Sequence, residues 1–186
     1  MKCQRPLLAI LLLSVALRLG VALYLGDGVD APPALTDQRS YHALGERLLG
    51  GHGYSFATGW YPFTPPEAPT AHWSFLYSAF VALVYALFGV HPLAVRLVQA
   101  VLGGVLLPYM AYRLSRRLFP ERQRVALLSA ALAACYGYFV LYAATLMTET
   151  FFIALVLWSL EASLRLAQLW RAGERAPWHL PLELGL

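Results

Sequence analysis

Two carboxylates, Asp37 and Glu149, are the side chains of this chain whose positions most suggest chemistry. Asp37 follows the first long apolar stretch, and Glu149 lies in the run Leu-Met-Thr-Glu-Thr-Phe-Phe between two others. An ionisable group inside or beside an apolar membrane segment is costly to desolvate, and such groups mark substrate, ion or proton pathways. The two carboxylates are therefore candidates for one functional site, provided that the elements around them bring them to the same side of a membrane.

The composition indicates an integral membrane protein. The chain is 59% hydrophobic and 13% charged over 186 residues, with a mean hydropathy of +0.57, and a soluble domain of this size needs more polar surface. We attribute the net charge of +4 to orientation in the membrane rather than to nucleic-acid binding. Cys3 and Cys135 lie in unrelated settings and indicate no disulfide framework.

Four stretches are long enough to cross about 30 Å of hydrocarbon as helices, at roughly 20 residues each. They cover residues 6–26, 92–112, 125–148 and 150–170. The first follows Lys2 and Arg5 and has no convincing cleavage site, so we interpret residues 1–26 as an uncleaved signal anchor.

A fifth apolar stretch, residues 73–89, decides the topology. The basic residues of the N-terminus, of residues 113–124 and of residues 165–175 fall on one side of the membrane only if this stretch does not cross. We therefore expect it to lie in the outer interface.

The prediction is an all-α integral membrane protein with a cytoplasmic N-terminus and four transmembrane helices, three of them within residues 92–170. A large outer loop over residues 27–91 contains two interfacial helices, at about 38–49 and 73–89. Asp37 and Glu149 then both lie outside and converge on one face.

Several runs of residues resemble the GT-C glycosyltransferases. Asp37, Tyr41 and the run Leu-Leu-Gly-Gly-His-Gly-Tyr at 48–54 resemble the first external loop of that superfamily. Residues 94–100 and 116–119 are similar to its second span and the inner end of that span. The nearest relatives by this resemblance are the dolichyl-phosphate-mannose–protein mannosyltransferases and the bacterial lipid A aminoarabinose transferases.

The resemblance implies transfer of a sugar from a polyprenyl-phosphate carrier to an acceptor hydroxyl, on the outer side of the cell membrane. This reaction needs a base near the acceptor oxygen and cationic help for the departing phosphate. By resemblance Asp37 is the base, and Glu149 positions the acceptor or shares a divalent metal ion with Asp37. Arg96 pairs with the carrier phosphate, and Gln99, which adds polarity to the same helix face, is a further substrate-binding candidate.

The chain also departs from the family pattern. Gln38 stands where the family often has an acidic residue, and the outer loop contains no Lys. His72 and Arg39 are candidates to take the place of that Lys in substrate binding. Tyr41, as part of the loop motif, is a further substrate-binding candidate.

Two further functions stay open. The family continues through more spans, whereas residues 171–186 read as a truncated tail or as the start of a further span. The alternative function is therefore a non-catalytic membrane protein that binds a polyprenyl lipid or a partner membrane subunit. A small transporter or channel subunit fits poorly, because the outer loop is too large for a minimal pore.

The carboxylates also have structural interpretations. Asp37 precedes the expected helix at Gln38 and is suited to be its N-cap. Glu149 is suited to face water at the outer edge. Glu161 and Arg165 are spaced i,i+4, which predicts a local ion pair.

The basic and aromatic residues have similar alternatives. We expect Arg18 to extend to the membrane surface or to pair within the bundle, and Arg96 could instead anchor to lipid headgroups. Gly103 and Gly104 indicate close helix packing. We expect the loop aromatics to pack the loop onto the membrane surface, with a sugar platform as the alternative: Trp60, Tyr61 and Phe63.

Overall fold

The structure is a computed structural model that describes residues 4–30, 35–175, 177 and 180. The described residues form seven helices: α1 (Gln4–Leu25), α2 (Leu35–Leu49), α3 (Phe75–Phe88), α4 (Pro92–Leu118), α5 (Gln123–Cys135), α6 (Gly137–Ala143) and α7 (Glu149–Arg171). Extended pairing in the described part is limited to two isolated bridges, Ser55 with Pro69 and Trp60 with Thr64. The all-α prediction is confirmed.

Three helices, α1, α4 and α7, are long and apolar enough to cross a membrane. Helices α5 and α6 are long and apolar enough to cross only if they are taken together, and they are bent by 55° at their junction, so the pair is either a fourth, broken span or a re-entrant segment. The expectation of one unbroken helix over residues 125–148 is wrong. Tyr136 has extended backbone angles (φ −65°, ψ 117°), so it cannot continue the hydrogen-bond ladder of α5 into α6.

Helix α2 begins at Leu35, three residues before the expected start. Asp37 therefore lies within its first turn, and the interpretation of Asp37 as the N-cap is wrong. The helix ends where Gly50 N donates to the Glu46 carbonyl (2.9 Å). Gly51 follows with φ 75°, a left-handed conformation that glycine adopts without steric cost and that commonly ends helices.

Helix α3 is 14 residues long, about 21 Å at 1.5 Å per residue, which is less than the hydrocarbon thickness. Ser74 caps its start, accepting from Tyr77 N at 3.5 Å. Helix α3 packs against α2 so closely that a Cβ on Gly45 would lie 2.5 Å from Val81 Cγ1. The pair α2–α3 is therefore a packed unit of the loop rather than two independent surface helices.

The chain divides into two compact units. The first contains Met1–Leu17, Leu102–Val140 and Glu149–Leu186, and the second contains Arg18–Val101 and Leu141–Thr148. Most of the predicted tail, residues 176, 178, 179 and 181–186, lies outside the described residues.

In the first unit, Gly104 confirms the expectation of close helix packing. A Cβ at this position would lie 2.8 Å from both Cα and Cγ2 of Val15. A separate apolar cluster contains Ala162, Leu166 and Leu180.

The carboxylate of Glu161, also in the first unit, is almost completely buried and accepts from Arg113 Nη2 (2.9 Å) and Arg117 Nε (2.7 Å). The expected local pair of Glu161 with Arg165 is wrong. Two arginines of α4 approach the carboxylate across the helix interface, and this long-range packing replaces the pair that the i,i+4 spacing suggested.

In the second unit, three small buried residues, Ala22, Ala100 and Ala144, form an apolar cluster. Arg18 is also fully buried. The interpretation that Arg18 extends to the membrane surface is therefore wrong, and its burial favours the alternative in which it interacts within the protein.

Candidate functional site

A cluster of fully buried polar side chains forms the centre of the second unit. Gln38 of α2 and Arg96 and Gln99 of α4 are all 0% exposed. Burying polar groups is costly unless they are hydrogen-bonded. The partners of these three side chains therefore show what the cluster holds together.

Arg96 connects α4 to the segment after α1 and to α2. Its Nη1 donates to the Gly26 carbonyl, and its Nη2 donates to the Gly28 carbonyl (2.6 Å) and to Gln38 Oε1 (2.9 Å). Its Nε is buried and has no hydrogen-bond partner in the described part of the chain. Because the side chain is completely buried, the interpretation of Arg96 as an anchor to lipid headgroups is wrong.

Gln38 and Gln99 extend the cluster to the segment that follows α6. Gln38 Oε1 also accepts from Leu146 N at 3.3 Å. Gln99 Nε2 donates to the carbonyls of Tyr142 (2.9 Å) and Thr145 (2.8 Å). Together these contacts tie α2, α4 and residues 141–148 into one hydrogen-bonded framework.

Gln99 also joins this framework to α3. Its Oε1 accepts from the hydroxyl of Tyr77 at 2.6 Å. Both donors of the Gln99 amide and its oxygen therefore bond to the protein itself, which makes Gln99 a structural link in this arrangement. Its predicted contact with substrate stays a prediction.

Asp37 lies beside this framework. It directly precedes Gln38 in the first turn of α2 and is half-buried. An acidic residue in the first turn also interacts favourably with the helix dipole. Since Gln38 is fixed to Arg96 and Leu146, the backbone that carries Asp37 is held in place, as a catalytic group requires.

Glu149 is the first residue of α7 and is half-buried. Its Oε2 atom is buried, so the carboxylate does not simply face water. Glu149 belongs to the first unit and Asp37 to the second, so the convergence of the two carboxylates stays a prediction. The described residues contain no group of three or more His, Cys, Asp or Glu side chains that could hold a metal ion, and the shared metal also stays a prediction.

The other substrate-binding candidates have different surroundings. His72 is exposed, and its ring contacts Trp73 edge-on, with the centroids 5.0 Å apart. Arg39 is exposed and forms an ion pair with Asp30. Tyr41 is buried edge-on against Trp73 and Tyr77, within the packing of α2 on α3. His72 and Arg39 can therefore reach a ligand from solvent, whereas Tyr41 shapes the core of the loop.

A cavity of about 340 Å³ lies beside the C-terminal half of α2. Its lining includes Phe56 and Trp60, whose rings are stacked 4.8 Å apart, and Trp60 Nε1 donates to Ser40 Oγ at 2.7 Å. Trp60 therefore packs within the loop, while Tyr61 and Phe63 are exposed, the latter by 97%. Exposed aromatic side chains suit the membrane–water interface.

Tyr85 of α3 is a buried titratable group in the loop. Its hydroxyl lies 2.7 Å from His42 Nδ1. Burial raises the pKa of Tyr85 well above the ordinary tyrosine value, and the nearby Glu46 carboxylate raises it further. Tyr85 therefore stays neutral and acts in the packing of α2 on α3.

The sequence did not predict that Gln38 joins α2 to Arg96. In the sequence, Gln38 stood out only because the family often has an acidic residue at this position. The available signal was Arg96 within an apolar span, because a charge in that position needs a buried polar partner. Residues 141–148 carried no signal, since they contribute backbone groups to Gln38 and Gln99.

The comparisons with known proteins give one family. The sequence model of the family described as dolichyl-phosphate-mannose-protein mannosyltransferase matches residues 72–178, more than half of the chain. No curated protein and no solved structure matches.

Proposed function

The chain belongs to the dolichyl-phosphate-mannose-protein mannosyltransferase family, whose members are membrane glycosyltransferases of the GT-C type, and we propose that it transfers a sugar from a polyprenyl-phosphate donor to an acceptor hydroxyl. Asp37 is the proposed general base. The observation that carries this assignment is the hydrogen bonding of Gln38 to Arg96 and Leu146. It fixes the first turn of α2 and leaves the neighbouring Asp37 carboxylate partly accessible.

The proposed reaction is a direct displacement at the anomeric carbon. The acceptor oxygen forms a bond to that carbon while its proton moves to the Asp37 carboxylate. The bond from the anomeric carbon to the phosphate oxygen breaks, and the electron pair leaves with the polyprenyl phosphate. A positioned base contributes about 10²–10⁴-fold to such a step.

Arg96 acts in this proposal as a positioning residue. The described contacts direct its guanidinium at the carbonyl oxygens of Gly26 and Gly28 and at Gln38. We assign cationic help for the phosphate to the exposed side of the loop, where Arg39 and His72 are accessible. Glu149 is proposed to position the acceptor.

The proposed topology places the N-terminus inside and residues 27–91 outside. Helix α3 is too short to cross, which supports the topology inferred from the basic residues. The bent pair α5–α6 starts five residues after the end of α4. The segment that follows the pair bonds to Gln99, in the first third of α4. These positions support a crossing by the bent pair, which would return the chain to the outer side at Glu149.

The test is sugar transfer by membranes that contain the full chain, supplied with polyprenyl-phosphate mannose or polyprenyl-phosphate aminoarabinose. Asp37→Asn is expected to lower the transfer rate by about 10²–10⁴-fold without changing the amount of inserted protein. Asp27→Asn is the matched control, because an Asn at this exposed position can still accept from Leu93 N (2.9 Å in the structure).

The results of this assay distinguish the proposed transferase from the alternative functions. Transfer at the unmodified rate by Asp37→Asn would refute the assignment of the base. Binding of polyprenyl phosphate without transfer by the unmodified chain would instead favour the alternative function, a non-catalytic lipid-binding protein. Transfer that appears only after addition of a second membrane protein would support a partner subunit.

A further inference from the structure

Three arginines in the last turns of α4 line a cavity in the first unit. The cavity, of about 310 Å³, is bounded by Tyr112, Arg113, Arg116, Arg117 and Glu161. All of these residues belong to the first unit. Nothing in the proposed sugar transfer uses this cavity.

Glu161 organises the cavity. Its side chain is 3% exposed, and its Oε1 atom accepts from both Arg113 and Arg117. The arginine side chains themselves stay about one-third exposed. One buried carboxylate therefore holds two guanidinium groups side by side while the rest of each group faces the cavity.

The cavity is strongly positive even after this pairing. Three arginines face one glutamate, which leaves a net charge of +2. A guanidinium has five N–H donors. Within the described residues Arg116 uses Nη1 on the Pro120 carbonyl (2.7 Å), and Arg113 uses Nη2 on Glu161. Arg117 uses Nε on Glu161 (2.7 Å) and Nη1 on Gln168 Oε1 (3.4 Å). Most of the donors around the cavity therefore remain available to an anion.

The preference for basic residues on one side of a membrane explains why arginines occur here, but it does not explain their arrangement. Arg122 and Arg124 belong to the same basic segment, are exposed, and do not line the cavity. Arg113, Arg116 and Arg117 instead converge on a space large enough for a phosphate group. Convergence of fixed guanidinium groups is the geometry that recognises phosphate.

We propose that this cavity binds the phosphate headgroup of an acidic phospholipid. The cavity lies at the end of a membrane-spanning helix, where lipid headgroups meet the protein, and basic pockets between such helices bind anionic headgroups. A headgroup with a net negative charge complements the +2 charge, whereas the amine of a zwitterionic headgroup is repelled by it. The proposal is independent of the sugar transfer and of the orientation of the chain.

The test is native mass spectrometry of the purified full chain, released from bilayers with equal amounts of phosphatidylglycerol and phosphatidylcholine of the same acyl chains. The unmodified protein is expected to retain phosphatidylglycerol preferentially. Arg116→Gln removes a cavity charge without touching Glu161. It is expected to lower retention about tenfold, the factor that corresponds to roughly 1.5 kcal/mol for the loss of a hydrogen bond to a charged group.

Two further variants distinguish a built site from general attraction. Glu161→Gln keeps an oxygen for the arginines but raises the net charge of the cavity, so retention should rise about fivefold. Arg124→Gln removes the same charge as Arg116→Gln at an exposed position outside the cavity, and it should leave retention unchanged within about twofold.

Several results would overturn the proposal. Equal retention of the two lipids, or an equal loss in Arg116→Gln and Arg124→Gln, would show that no specific headgroup site exists. Retention of inorganic phosphate by a chain that retains neither lipid would assign the cavity to a soluble anion instead. If Glu161→Gln fails to fold, the comparison of Arg116→Gln with Arg124→Gln still decides the question.

Discussion

Gln38→Ala is expected to destabilise the protein because it removes the oxygen that joins α2 to Arg96 and Leu146. The Arg96 Nη2 donor, 2.9 Å from Gln38 Oε1, would keep only its contact with the Gly28 carbonyl, and Leu146 N, at 3.3 Å, would lose its acceptor. A hydrogen bond to a charged group contributes about 1.5–3 kcal/mol, and a buried N–H left without a partner costs about 1–3 kcal/mol. The lower ends of these two ranges add up to a loss of about 2.5 kcal/mol.

The measurement is thermal unfolding of the detergent-purified chain, followed by tryptophan fluorescence. At about 2–4 °C per kcal/mol for a chain of this size, the midpoint should fall by about 5–10 °C. Gln168→Ala makes the same chemical change at an exposed amide whose contacts with Arg117 are 3.3 and 3.4 Å. It should lower the midpoint by about 1–2 °C at most.

Gln38→Glu tests whether the hydrogen bonds accepted by the side-chain oxygen, rather than the amide group as a whole, stabilise the protein. The carboxylate keeps an oxygen for both donors and pairs with Arg96, and exchanging a buried neutral contact for a buried ion pair is close to neutral. We expect its midpoint to stay near that of the unmodified protein and its sugar transfer to persist. Unfolding of Gln38→Ala at the unmodified temperature, or equal shifts in Gln38→Ala and Gln168→Ala, would refute the structural role of this cluster.

Two other predictions concern packing and pH. Gly104→Ala should lower the free energy of unfolding by about 1–3 kcal/mol, because the new Cβ would lie 2.8 Å from the backbone of Val15. Gly20→Ala, whose new Cβ would have nothing within 4 Å, should be neutral or slightly stabilising. Thermal unfolding of the two variants tests this difference. Folding raises the pKa of Tyr85. The contribution of its neutral hydroxyl to the stability of the folded protein is therefore complete below the ordinary tyrosine pKa of about 10 and is lost as the pH rises above that value. The midpoint of thermal unfolding should therefore fall as the pH rises above about 10, and it should fall less in Tyr85→Phe. An equal decrease of the midpoint with pH in the two proteins would contradict the burial of this hydroxyl.

The apolar segments were predictable from the sequence because their signal is local. Hydropathy and length located the helices now seen as α1, α4 and α7, and the shortness of α3 supported its exclusion as a span. The break at Tyr136 was not predictable in the same way. The run Tyr-Gly-Tyr at 136–138 is less apolar than the rest of the stretch, but an isolated glycine inside a helical pattern is tolerated and does not by itself indicate a break.

The buried polar contacts were the least predictable part of the candidate site. Sequence spacing favoured Arg165 as the partner of Glu161, but the partners come from α4. Such pairs depend on which helices are neighbours in space, and a single sequence does not contain that information. Asp37 could be singled out because residues 37–54 resemble the first external loop of the GT-C glycosyltransferases. The side chains that fix its helix became evident only in the structure.

The bend between α5 and α6 also constrains how the chain enters the bilayer. Helix α5 has 13 residues and α6 has 7, about 20 Å and 10 Å, so neither can cross the hydrocarbon alone. Backbone groups that are left without partners where these short helices end need hydrogen bonds from elsewhere in the protein before they meet lipid. Because α4 is synthesised first, the Gln99 amide is already present to donate hydrogen bonds to the carbonyls of Tyr142 and Thr145. Insertion of the bent pair should therefore follow insertion of α4 rather than occur independently of it.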